Sequence, residues 1–138
     1  MKRRDFMMSA AALSAASVLG GAAFAAAQYT PGLVDQELAA GKTVFLDFKA
    51  SWCSTCAAQE RVIDKLKATN PDYEKSVTFI DVDWDEFGRS DLVKRLKVPR
   101  RSTLIVLKGD AELGRIVAGT KEADIKALMD AALSAAMV

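Results

Sequence analysis

Apolar positions follow two periods along the chain. Thr43-Val44-Phe45-Leu46-Asp47-Phe48 is a dense run of β-branched and aromatic residues, which predicts a buried strand. Val77 to Val82 predicts the next. Thr103 to Leu107 and Glu112 to Val117 predict a hairpin joined through Lys108-Gly109-Asp110. Helical spacing fills the gaps. Leu33, Val34, Glu37 and Leu38 recur between Thr30-Pro31, a good N-cap and first helical position, and a stop at Gly41. Val62, Ile63 and Leu66 lie on one face of a helix running from Cys53 to Asn70-Pro71. Leu92, Val93 and Leu96 mark a short helix that Ser90 caps. A final helix carries Ile125, Leu128, Met129, Ala132, Leu133 and Ala136 on one buried stripe. The expected order is α-β-α-β-α-β-β-α. Helix-separated strands pair in parallel and the hairpin adds antiparallel strands, so the fold class is α/β, a mixed four-stranded sheet with helices on both faces.

Composition narrows this little. The 138 residues suit one core, and 51% hydrophobic with 27% charged residues is ordinary for a soluble domain. The four charges within residues 1–25 sum to +2, leaving −1 on the remainder. That remainder has no electrostatic footprint for nucleic acid. Histidine is absent, which removes the commonest metal ligand and the usual neutral-pH base.

Residues 1–27 are set apart. A basic head, Lys2-Arg3-Arg4, precedes an uncharged stretch from Phe6 that is rich in Ala, Ser and Gly. Ala23-Phe24-Ala25 and Ala25-Ala26-Ala27 both suit an A-x-A cleavage site. Arg3-Arg4-Asp5-Phe6-Met7 resembles the twin-arginine export signal. The expectation is an export signal over 1–27 and a periplasmic domain over 28–138, with membrane attachment only if the signal stays uncleaved.

The two cysteines form Cys53-Ser54-Thr55-Cys56, directly after a predicted strand and at the start of a predicted helix. A helix N-terminus offers unpaired N–H groups and the positive end of the dipole, so it favours a thiolate at Cys53, the attacking species. Cys53 is expected to be exposed there and Cys56, one turn deeper, to be shielded and to resolve mixed disulfides. A zinc site needs two more soft ligands that one chain lacks. A structural disulfide across so small a loop restrains the unfolded chain little. Redox chemistry fits the spacing and its placement best.

The stretch Phe45-Leu46-Asp47-Phe48-Lys49-Ala50-Ser51-Trp52-Cys53-Ser54-Thr55-Cys56 resembles the active-site segment of thioredoxins and of periplasmic thioredoxin-like domains. The resemblance implies a thioredoxin fold over about residues 42–136, disulfide exchange with protein thiols and disulfides, an upstream thiol carrier as electron source, and no organic cofactor. It expects a monomer working on the reducing side; oxidation and isomerisation would use the same two thiols. Asp47, a lone carboxylate in an apolar strand, is costly to bury. Burial raises its pKa, which suits proton exchange with Cys56; a solvent-facing Asp47, or one paired with Lys65 or Lys67, is the plainer alternative. Trp52 matches the indole that flanks the family's thiols, either as docking surface or as packing. Ser102 stands where the family carries a cis-proline, the nearest proline being Pro99. A trans Arg101–Ser102 peptide and a wider, more polar groove beside Cys53 are expected, with Arg100 and Arg101 facing the partner or the solvent. The alternative from another class is a binding module holding a metal or cluster between two chains through the C-x-x-C.

Overall fold

The computed structural model of the chain describes residues 26–138. The expected export signal lies outside these residues apart from Ala26 and Ala27. The elements in order are β1 (Ala27–Gln28), α1 (Leu33–Ala39), β2 (Thr43–Lys49), α2 (Ser54–Thr69), α3 (Asp72–Ser76), β3 (Val77–Asp83), α4 (Trp84–Phe87), α5 (Asp91–Leu96), β4 (Thr103–Lys108), β5 (Ala111–Val117) and α6 (Glu122–Ala136). The sheet has five strands rather than four, in the order β1-β3-β2-β4-β5. The added strand, β1, is two residues long and too short to show a period. It runs parallel to β3, as does β2, whereas β2–β4 and β4–β5 are antiparallel.

Alternation along β2 divides the apolar residues between two faces. Val44, Leu46 and Phe48 join Ile80, Val82, Ile105 and Leu107 against Val34 of α1 and Leu92 and Val93 of α5. Phe45 joins Phe79, Leu104 and Val106 against Ile63 and Leu66 of α2, Tyr73 of α3, and Ile125, Leu128 and Met129 of α6. The strand is central, so both of its faces are buried, and Asp47 projects to the same face as Phe45.

Helix α1 starts later than expected. Thr30 does not cap it; its carbonyl accepts the Leu33 N–H in a turn, and Gly32, at φ +91°, takes the cap position. Glycine enters that left-handed conformation without a Cβ clash. The other end behaves as anticipated. The Gly41 N–H reaches the Leu38 carbonyl and the Lys42 N–H the Glu37 carbonyl, a paired closure made possible by Gly41 at φ +84°. Ser90 caps α5 through its hydroxyl, which accepts the Val93 N–H at 3.3 Å. Helices α3 and α4, of five and four residues, are too short to leave a helical period. No helix among the described residues is long and apolar enough to cross a membrane.

Candidate active site

Strand β2 ends at Lys49 and delivers the chain to Cys53, which caps α2 with its own sulfur. Its Sγ accepts the Cys56 N–H at 3.1 Å, so one orphan donor of the first turn is spent on the Cys53 sulfur itself. Cys53 and Cys56 are joined in a disulfide with Cα atoms 5.2 Å apart. Cys53 is not exposed as expected: it is 4% exposed and Cys56 1%. Ala50 packs beside the pair, and Trp84 from α4 packs against the same cluster. What distinguishes Cys53 is its place at the cap.

Ser102 lies beneath the disulfide and is fully buried, so it does not line an open groove. Its hydroxyl oxygen is 3.1 Å from Cys53 Sγ and 3.2 Å from Cys56 Sγ. Every described peptide bond is trans, including the one before Ser102, and the residue sits at φ +65°. Its N–H donates to the Phe48 carbonyl at 2.7 Å, and its carbonyl accepts from Ala118 N–H at 2.8 Å and Gln59 Nε2 at 3.0 Å. Proline has no N–H and fixes φ near −65°, so it fits neither requirement.

Asp47 is 5% exposed and its Oδ1 makes no hydrogen bond among the described residues. Burial, then the nearby charge of Asp81, pushes its pKa from 3.8 up to about 7, against the pull of Lys49 and Lys67. Neither lysine suggested by the sequence neutralises it. Lys65 pairs with Glu122, and Lys67 pairs with Glu74 while lying over the Phe79 ring. Lys49, two residues on, contacts Glu60 and stands 3.6 Å from Asp81. Lys49, Glu60, Lys67, Glu74 and Asp81 line, with Asp47, a cleft of about 480 Å³ between β2, β3 and α2.

The surface beside Cys53 is built by Trp52, 58% exposed. Its indole N–H donates to Asp85 at 2.9 Å, and the Arg101 guanidinium stacks on its ring at 4.6 Å. No group of three or more Cys, His, Asp or Glu among the described residues converges as a metal site.

A thioredoxin family model matches residues 26–131. The chain belongs to the thioredoxin family. Among curated relatives, yeast thioredoxin-2 is 37% identical over 93 residues, 67% of this chain and 83% of that protein. Thioredoxin of Echinococcus granulosus is 34% identical over 90 residues, 65% of this chain and 78% of its own. Rice thioredoxin H2-1 is 33% identical over 81 residues, and the match spans only about half of it, 54%. The solved structure of Trxlp from Edwardsiella tarda superposes with a TM-score of 0.64 at 26% identity, covering 75% of this chain and 98% of that one.

In this thioredoxin-family chain the disulfide opens α2, Asp47 is buried in β2 and Trp52 is exposed beside Cys53. Two residues of the site escaped notice. Gln59, fully buried on the same face of α2 as Cys56, donates to both the Ser102 and Gly119 carbonyls and so ties the loop under the sulfurs to the turn after β5. Trp84 packs against the cluster that holds the pair. The signal for Gln59 was a polar residue on an otherwise apolar helical stripe.

Proposed function

We propose that the protein is a periplasmic thiol-disulfide oxidoreductase that reduces disulfides in partner proteins. The observation that carries this is the Cys53–Cys56 disulfide at the start of α2, beside the exposed Trp52, in a thioredoxin-family chain. The Cys53 thiolate attacks a partner disulfide, forming a Cys53–partner bond and releasing one partner thiolate, which takes its proton from water. Asp47 takes the Cys56 proton, and Cys56 attacks Cys53 Sγ. The internal disulfide closes and the second partner thiol leaves; one disulfide is reduced and one is formed. With its pKa near 7, Asp47 exchanges protons readily at neutral pH. Trp52 and Arg101 form the docking surface, and Ser102 supports the sulfurs from below.

An upstream thiol carrier re-reduces the enzyme, and Arg3-Arg4 directs its export. Turnover of a protein disulfide with a small dithiol as electron source tests the activity; a wild-type protein that keeps its disulfide under those conditions would refute it. Changing Arg3 and Arg4 to lysine should hold the precursor in the cytoplasm, and unaltered export would remove the twin-arginine assignment.

A further inference from the structure

Ser102 has a role in the chemistry beyond supporting the loop. Three backbone hydrogen bonds, to Phe48, Ala118 and Gln59, fix the residue at φ +65° and aim its hydroxyl at the disulfide. The same oxygen lies 3.5 Å from Arg100 Nη2, and Arg100 Nε is anchored on the Arg101 carbonyl at 2.9 Å. A guanidinium only donates. Ser102 Oγ therefore accepts from Arg100, and the acceptors left for its own proton are the two sulfurs, at 3.1 and 3.2 Å. A disulfide sulfur accepts weakly, whereas a thiolate takes a charge-assisted bond about twice as strong as a neutral one.

We propose that Ser102 is a catalytic residue whose hydroxyl donates to whichever sulfur carries negative charge. In the reduced protein it holds Cys53 as thiolate. When a partner thiolate attacks Cys53 Sγ, a partner–Cys53 bond forms and the Cys53–Cys56 bond breaks. The electron pair passes to Cys56 Sγ, which the same hydroxyl faces. The hydroxyl keeps its proton; Cys56 takes its proton from Asp47. The inference rests on the disulfide-exchange reading above, and wild-type turnover tests that reading separately.

The consequence is a lower Cys53 pKa and a reduced form that is easier to reach. Ser102→Ala and Ser102→Gly both remove the hydroxyl, and glycine also suits the left-handed backbone. In both, the alkylation-rate titration of Cys53 should move up by about one pH unit. Above that midpoint the glutathione equilibrium should shift roughly tenfold towards the disulfide, about 30 mV more reducing. A shift in only one variant would trace to the backbone and overturn the proposal, as would none in either. The wild type gives a check that needs no variant. The Ser102 hydroxyl proton, followed by NMR in the reduced protein, should titrate together with Cys53; a resonance indifferent to that titration refutes the proposal.

Discussion

Asp47 is the residue on which burial and charge bear most heavily. Unfolded, it loses its proton near its ordinary 3.8; folded, it keeps it to about 7. Between those values the native state holds the extra proton, so Asp47 favours folding most at acid pH, and that advantage fades as pH rises through the folded value. The gap of about three pH units sets a ceiling on the order of 4 kcal/mol. Asp47→Asn should therefore be more stable than wild type near pH 8 and lose that advantage near pH 4, as urea unfolding at the two pH values would show. The same variant should slow resolution of mixed disulfides. Normal kinetics with reduced stability would assign Asp47 a structural role instead. For the thiols, Cys56→Ser should accumulate mixed disulfides with partners while Cys53→Ser forms none, which non-reducing gels would reveal. Both sulfurs are buried in the disulfide, so any faster alkylation of Cys53 must come from its cap position and its thiolate character.

At the scale of elements, α2 organises the site. It presents Cys56 in its first turn, Gln59 one turn on, and Ile63 and Leu66 to the core along one face. Gln59→Leu would strip donors from two carbonyls, those of Ser102 and Gly119. A loss of about 2 kcal/mol is expected, read as a lower denaturant midpoint at unchanged m-value. The variant should also blur the Ser102 position and slow exchange. This element shows what a sequence makes legible. The thiols are adjacent in the chain and sit between two strongly patterned elements, so spacing alone locates them. Strand β2 reveals itself by density of apolar residues, and Asp47 by interrupting it. The partners of Gln59 lie 43 and 60 residues away, and Trp84 packs against the cysteine cluster from a four-residue helix. No local period reports such contacts. Helix α1 begins after Thr30-Pro31, although that pair has the chemistry of a cap, because Gly32 makes the turn that decides where the helix starts.

The described residues form a sheet with two guarded edges. On one side β5 is largely exposed, and Arg115 spans it with bonds to Glu112 and to the Leu96 carbonyl, charges that discourage strand addition. On the other side β1 covers β3: Ala27 pairs with Ile80, Gln28 with Asp81, and the Tyr29 N–H reaches the Asp81 carbonyl at 2.8 Å. Ala26 also lines the cleft that Asp47 faces. The short edge strand thereby bears on the reactive centre, because burial is the largest cause of the raised Asp47 pKa and Asp81 the second. The two A-x-A triplets then have different consequences. A chain beginning at Ala26 keeps β1 whole, whereas one beginning at Gln28 loses half of the strand and removes Ala26 from the lining of the cleft. Comparison of these two forms should show the shorter one less stable by about 1 kcal/mol, from the lost strand pairing. Water admitted to the cleft should also lower the Asp47 pKa from about 7 towards its ordinary range. Carboxyl NMR titration of both forms would read this directly. Equal Asp47 midpoints would mean that β1 stabilises the sheet edge without sealing the cleft, and that the Asp47 carboxyl is set by β2, β3 and α2 alone.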